Sequence, residues 1–407
     1  MEDLITIDEI RNAQARIAAR VPASPVMPSV YFSQISGLNV ILKLENLNVS
    51  GSFKIRGATN ALLQEKAESL TKGVVAASAG NHAQGVANVC KFLGVNATIF
   101  MPERTPLIKI ESTKYLGAKV ICVGQVFDEA FQAAKTFAEE RGAVFIHPYA
   151  DPRVIHGQGT VGLELLDQVK SMDAVLVPIG GGGLISGLAC AIKTLSPSTK
   201  VYGIQTEAFP AMFHAFKGTE YQKTGRAVTI SDGIAVKGIS PLNLACIKKY
   251  VDDILLVDEE ETATAVVELV ERNHLLTEGA GAVPIAAVLR YHNFFKNQGL
   301  TNIVCVISGG NIDSNLLSRI TDRALVQTGR LSRIKFIVQD RPGALASLLK
   351  VISSVGANLQ EVYHDRTFAT SHYSDVEVEA VIETSNHVHR TELLGVLKEQ
   401  KIDFQIL

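Results

Sequence analysis

The sequence predicts an α/β protein in two lobes followed by a smaller module, and three observations carry that prediction. From about residue 38 a pattern recurs: a short β-branched run, a glycine-rich or polar turn, then about ten to fifteen residues of helix-compatible sequence. Most of these runs are apolar throughout rather than alternating, as strands buried on both faces of a parallel sheet are. After about residue 318 the punctuation changes to a second pattern. With 407 residues, 47% hydrophobic and 20% charged, the chain is too long for one compact core and well supplied to fill two or three.

Taken in order, Thr6 with Glu9 three residues on opens the first helix as a capping box, and Ile10, Ala13, Ile17 and Val21 follow at roughly helical spacing. Strand-like runs fall at residues 40–44, 74–77, 97–101, 119–123, 144–146, 174–178, 201–205 and 303–307. The uncharged stretch 174–192 is long enough to span a membrane, but Pro178 and the glycines at 180–183 break any spanning helix. It divides instead into strand, loop and helix. In the tail, 332–340 reads as a strand, 342–355 as a helix, 358–365 and 376–384 as strands, 388–400 as a helix and 402–406 as a last strand. That order, βαββαβ, is the split-βαβ or ferredoxin-like module. The expected boundaries are 1–320 for the α/β body, with a small lobe of about 48–150 inserted in the large one, 321–332 for a linker and 333–407 for the tail.

Lys+Arg number 39 against 41 Asp+Glu, a formal net charge of -2, and no basic run tracks a phosphate backbone, which excludes nucleic acid as the expected partner. Cys90, Cys122, Cys190, Cys246 and Cys305 are scattered and sit in apolar stretches, which suits reduced thiols better than disulfides or a metal site. The opening Met1-Glu2-Asp3 has neither the basic start nor the cleavage site of a signal peptide, so a cytoplasmic protein without a membrane partner is expected.

Five segments carry candidate chemistry. In Ser50 to Ala58, Lys54 stands in the first turn of a helix, where the positive end of the macrodipole disfavours a charged amine and favours a nucleophilic neutral one. A solvated lysine would also account for that position. In Ser78 to Gly85, backbone N–H groups, the Ser78 hydroxyl and the Asn81 amide offer a carboxylate site at a helix start, with helix capping as the plainer account. Gly180, Gly181, Gly182 and Gly183, between strand and helix, fold backbone N–H groups around a phosphate, and this is the strongest local signal. No Gly-Lys-Ser/Thr follows, and the run does not complete G-x-G-x-x-G. Ser308 in Ser-Gly-Gly-Asn ends a strand, where α/β proteins place ligands. Glu278 heads an apolar helix and needs no role beyond complementing its dipole.

Together, Ser-Gly-Ser-Phe-Lys-Ile-Arg-Gly-Ala at 50–58, Ser-Ala-Gly-Asn-His-Ala-Gln-Gly at 78–85, His-Pro-Tyr at 147–149, Gly-Gln-Gly-Thr at 157–160, the glycines at 180–183 and Ser-Gly-Gly-Asn at 308–311 resemble a known family. It is that of the pyridoxal-phosphate-dependent threonine dehydratases (threonine ammonia-lyases) of the tryptophan-synthase-β fold type, and the likeness spans about residues 5–320. The tail, with Gln339 to Leu345 between its first strand and helix, resembles an ACT domain, a small amino-acid-sensing module. The resemblance implies the two-lobed fold type II of these enzymes and pyridoxal 5'-phosphate as cofactor. It implies that Lys54 holds the cofactor aldehyde covalently and moves the substrate's α-proton, and that Phe53 packs by the ring. Asn81 is expected to hydrogen-bond the ring hydroxyl, Gly180 to Gly183 with Leu184 to cradle the phosphate, and Ser308 to meet the pyridine nitrogen. A hydroxyl partner there need not protonate that nitrogen, so the ring is a weaker electron sink and expulsion of a β-hydroxyl competes with reprotonation. Ser78, Asn81 and His82 match the loop that grips the substrate carboxylate.

Two departures sharpen the choice within the fold type. Related serine racemases carry a second serine where this chain has Ala79, and an acid that helps bind a divalent ion where it has Gln205. Racemisation is therefore disfavoured, and no divalent metal is expected. The implied reaction removes water from L-threonine to give 2-oxobutanoate and ammonia. L-Serine is expected to react too, because one methyl is worth only about 1 to 3 kcal/mol of discrimination. The tail is expected to bind a regulatory amino acid, with isoleucine and valine the first candidates and 340–345 the contact, or else to be an oligomer-forming domain that has lost ligand binding; a homo-oligomer, dimer or tetramer, is expected. One such module fits a feedback-inhibited biosynthetic enzyme or a degradative one. Two other classes stay open: a nicotinamide-dependent oxidoreductase using the glycine run with Glu207, about 24 residues on, as a ribose-binding acid, and a non-catalytic amino-acid sensor built on the tail.

Overall fold

The fold is a computed structural model that describes residues 5–221, 228–366 and 374–407, so Met1-Glu2-Asp3 lies outside the described residues. Two compact units divide the chain, Met1–Asp313 and Ser314–Leu407.

The first unit holds two sheets. The larger has six strands in the order Val26–Pro28, Asn39–Leu44, Asn302–Ile307, Ala174–Pro178, Lys200–Thr206 and Asp253–Val257. All its pairings are parallel except that of Val26–Pro28 with Asn39–Leu44. The smaller sheet, wholly parallel, runs Lys119–Cys122, Ala97–Met101, Val74–Ala77, Val144–Phe145. Its central strand Val74–Ala77 is buried at every position, as its continuous apolar run requires.

The sequence pattern missed both edges of the large sheet. Val26–Pro28 has only three residues and ends in a proline, which an edge tolerates because no neighbour needs its N–H. Asp253–Val257, partly buried, is apolar after its first residue, a pattern as plain as that of the strands found from sequence. Thr6 Oγ1 accepts from Glu9 N at the first helix, and Ile10, Ala13, Ile17 and Val21 are buried.

In the second unit the strands Leu331–Gln339, Asn358–Asp365, Asp375–Glu383 and Asp403–Ile406 form one antiparallel sheet with two helices, Ala344–Ser354 and His387–Glu399, in the chain order βαββαβ. Residues 321–332, expected as a linker, hold the end of a helix, Ser314–Gln327, and the start of the first strand. Ile320 and Ala324, four apart on one face of that helix, are buried, and this apolar spacing makes the segment structured.

Candidate active site

Four loops leave the carboxyl ends of parallel strands and meet at one crevice, the position that α/β topology reserves for ligands. The loop after Asn39–Leu44 leads to Lys54, that after Val74–Ala77 to Ser78 and Asn81, that after Ala174–Pro178 to the glycines, and that after Asn302–Ile307 to Ser308. Every residue singled out in the sequence as holding the cofactor or gripping the substrate lines a cavity of about 380 Å³ there.

Lys54 is the first residue of the helix Lys54–Leu62. Phe53 N donates to Ser308 O at 3.1 Å and Gly310 N to Gly51 O at 2.9 Å, which stitches the lysine loop to the serine loop. The helix itself lies close against Pro152–Gln168, where a Cβ at Gly157 would stand 2.6 Å from Arg56 O. The glycines of the Gly-Gln-Gly-Thr motif therefore serve helix-to-helix approach. Burial pulls the Lys54 amine down to about 8, against the opposing pull of the Glu278 carboxylate. Its Nζ donates to Pro148 O at 2.9 Å and lies 5.3 Å from the centre of the Phe53 ring.

The glycine loop owes its shape to what surrounds it. Gly182 has φ +85°, in the left-handed region, and a Cβ at Gly181 would stand 2.4 Å from the Tyr149 ring. Asn243 Nδ2 donates to Gly181 O at 2.5 Å, taking the carbonyl and leaving the N–H groups at the head of the helix Gly183–Leu195 for a ligand. A loop whose glycines lie too close to Ile234, Tyr149 and Ile247 to carry side chains, at a positive helix end and in one cavity with a half-buried lysine of lowered pKa, fits a phosphorylated aldehyde. Leu184 is buried at its edge.

Ser308, almost wholly buried, is 3.5 Å through its hydroxyl from Ala280 O, a loose contact that leaves it available. Ser78 Oγ accepts from Gly80 N at 3.1 Å, and Asn81 opens the helix Asn81–Leu93, whose first N–H groups have no partner within the helix. His82 belongs to this loop through its backbone, and its ring is engaged elsewhere. Its Nε2 is 3.0 Å from Ile146 O, an atom that only accepts, so the proton sits on Nε2. Burial and the nearby Lys54 push this imidazole down to about 3, and Nδ1 keeps a lone pair without a protein partner. A neutral ring of that tautomer cannot donate to an anion, so the donors in this loop are backbone N–H groups, Asn81 and Ser78.

Glu278, given only a dipole role in the sequence, is the main addition. It is 5% exposed, lines the cavity and accepts from Asn81 Nδ2 at 2.6 Å. Burial, helped by Asp232, pushes its carboxyl up to about 7. Lys109 and Asp232 form an ion pair at the same cavity. Glu207, by contrast, is not among the cavity-lining residues and pairs with Arg290 at 2.9 Å on the surface, so the nicotinamide alternative loses its acid. Gln205 is fully buried, its Oε1 accepting from Phe213 N at 2.9 Å. Among the described residues no group of three or more His, Cys, Asp and Glu is arranged to hold a metal ion, and no helix is long and apolar enough to cross a membrane.

Residues 18–309 match the family model described as pyridoxal-phosphate dependent enzyme. An L-threonine ammonia-lyase of Thermotoga maritima is 43% identical over 404 residues, 99% of this chain and 100% of its own. Two solved structures share the fold: a maize serine racemase, with TM-score 0.73 and 35% identity over 79% of this chain and 99% of its own, and a threonine deaminase of Solanum lycopersicum (isoform 2, processed form), with TM-score 0.72 and 36% identity over 79% and 89%. With a lysine of lowered pKa, a glycine cradle and Ser308 around one cavity, and with likeness along nearly its whole length, the chain belongs to the family of pyridoxal-phosphate-dependent enzymes.

Proposed function

We propose that the protein removes water from L-threonine, giving 2-oxobutanoate and ammonia after a water molecule is taken up again, and acts likewise on L-serine to give pyruvate. The observation that carries this is Lys54, a half-buried amine of lowered pKa at the head of a helix, in one cavity with the glycine cradle and Ser308. The full-length likeness to an L-threonine ammonia-lyase supports the substrate.

Pyridoxal phosphate, when bound, supplies an aldehyde for the lysine and a ring that takes up the electron pair left at the substrate's Cα. The chain's own residues do the rest. Gly180 to Gly183 and Leu184 hold the phosphate, Phe53 packs by the ring, Asn81 donates to its hydroxyl oxygen and Ser308 meets its nitrogen without transferring a full charge. Lys54 Nζ, neutral in part of the population near neutral pH, accepts the α-proton. Ser78, Asn81 and the N–H groups at the start of Asn81–Leu93 take the substrate carboxylate. Ala79 brings a methyl to the cavity where a racemase needs a second hydroxyl, which favours elimination.

The second unit is proposed as an ACT-like regulatory domain that binds isoleucine or valine at the Asp340–Leu345 turn. Its βαββαβ order supports this, as does the turn itself, with Gly343 at φ +86° and Asp340 paired to Arg366 at 2.9 Å. A cytoplasmic homo-oligomer, dimer or tetramer, completes the proposal, and the five cysteines, all thiols here, suit a reducing compartment.

The test is keto-acid release from L-threonine by the purified protein, with borohydride trapping and peptide mapping of the cofactor lysine. Appearance of 2-oxobutanoate with the label on Lys54 upholds the proposal. Label on Lys54 without turnover of threonine removes the substrate and keeps the cofactor.

A further inference from the structure

Three loops meet beside the cavity, and one backbone carbonyl sets the polarity of the hydrogen bonds among them. Asn311 Nδ2 lies 2.8 Å from Ser50 O and 2.8 Å from Asn81 Oδ1. A peptide carbonyl only accepts, so the Asn311 atom facing it is the nitrogen. The second hydrogen of that nitrogen goes to Asn81, whose contacting atom is therefore the oxygen. This turns the Asn81 amide nitrogen the other way, to Glu278 Oε1 at 2.6 Å, on a side chain that lines the cavity. A side-chain amide has two orientations of nearly equal shape. The Ser50 carbonyl leaves Asn81 only one.

The surroundings are shaped for Asn311. Gly51, with φ +71°, has the Asn311 Oδ1 atom 2.3 Å from where a Cβ would stand, so a side chain at 51 would displace the amide. On the far side, a Cβ at Gly309 would lie 2.5 Å from Glu278 Oε1 and 3.0 Å from Asn81 Nδ2. The Ser50–Asn311–Asn81–Glu278 chain thus has a glycine at each end, where a side chain would displace the Asn311 amide or the Glu278 carboxylate.

We propose that Asn311 is a positioning residue: anchored on the Ser50 carbonyl, it locks the Asn81 amide with its N–H groups toward the cavity and Glu278, so that the site offers a donor there and never an acceptor. One Asn81 hydrogen is taken by Glu278, and the other is free for an oxygen of the bound group. Only the identity of that oxygen rests on the proposed pyridoxal-phosphate reading. The lock itself belongs to the protein without cofactor.

Two variants separate the lock from mere filling of space. Asn311→Asp keeps the shape but reverses the polarity, placing an acceptor against Asn81 and calling its N–H away from the cavity. Asn311→Ala removes the partner without reversing anything. The expected result is a loss of cofactor affinity of about ten-fold or more in Asn311→Asp, with a changed ratio of the bound cofactor's absorption bands, and a smaller loss in Asn311→Ala with the wild-type spectrum. Because Asp at 311 also sets an acceptor against the Ser50 carbonyl, the spectrum decides: a wild-type ratio of absorption bands in Asn311→Asp, whatever its affinity, overturns the proposal. In the cofactor-free protein, the melting-temperature losses of Asn81→Ala and Asn311→Ala are expected not to add in the double variant. Additive losses also overturn it. Should the wild type bind no pyridoxal phosphate at all, the cofactor reading fails and this cofactor-free cycle alone decides the lock.

Discussion

Arg56 and Glu164 meet as a two-pronged pair in the interior, NH1 2.5 Å from Oε1 and NH2 2.8 Å from Oε2, with no exposed surface on the arginine. Glu45 takes the other edge of the guanidinium, at 2.7 Å from Nε and 2.8 Å from NH2, and Lys43 binds Glu164 at 2.6 Å. Two cations and two anions close into a neutral cluster two residues from Lys54. It ties the strand Asn39–Leu44 and the helix Pro152–Gln168 to the helix that carries the lysine.

Removing one member leaves an unmatched buried charge. Arg56→Met and Glu164→Gln are each expected to cost about 3 to 5 kcal/mol in urea unfolding of the cofactor-free protein. A loss below about 1 kcal/mol for both would show that the cluster contributes little beyond its volume.

The lowered Lys54 pKa makes cofactor capture depend on pH. Only the neutral amine attacks an aldehyde, so the rate constant for reconstituting the cofactor-free protein is expected to rise about ten-fold per pH unit up to about 8 and then level off. Stopped-flow absorbance would read it. A rise that continues to the ordinary lysine value of 10.5 contradicts the burial argument. The sign for stability follows from the same shift. Below about 8 the buried amine is charged in both states and the native one bears the cost, which fades as pH climbs from 8 to 10.5 while only the unfolded chain stays protonated.

Gly181→Ala places a methyl 2.4 Å from the Tyr149 ring. The loop must shift, and pyridoxal phosphate affinity, followed by fluorescence or absorbance titration, is expected to fall about ten-fold or more. In a Tyr149→Ala background the same substitution should cost less. An equal loss in both backgrounds would mean that the phosphate contact itself, rather than the ring, sets the requirement for glycine.

A chain ending at Asp313 is expected to keep threonine turnover within about two-fold and to lose any response to isoleucine or valine, because each compact unit has its own core. Steady-state kinetics with and without each amino acid would check it. A response that survives truncation moves the effector site into the first unit.

The order of strands and helices was legible because its causes are local. An apolar run buried on both faces, a glycine before a helix and a capping threonine all show within a few residues, and so did Lys54, Ser78, Gly180 to Gly183 and Ser308. Of the two edge strands, Val26–Pro28 escaped because three residues ending in proline carry no strand pattern, whereas the apolar run at 254–257 is as continuous as that of a central strand and nothing in its composition hid it. Fold class, the four loops and the residue types in them could therefore be read from local pattern. What those residues do to one another came from long-range packing. Glu278 is 197 residues from Asn81, and its carboxyl is held near neutral pKa by burial that no local pattern records. The proton on His82, the orientation of Asn81 and the surface pairing of Glu207 depend likewise on Ile146, on Asn311 with Ser50, and on Arg290. Hydrogen-bond polarity and pKa are set by the atoms within a few ångströms, and in a parallel α/β fold most of those atoms come from distant parts of the chain.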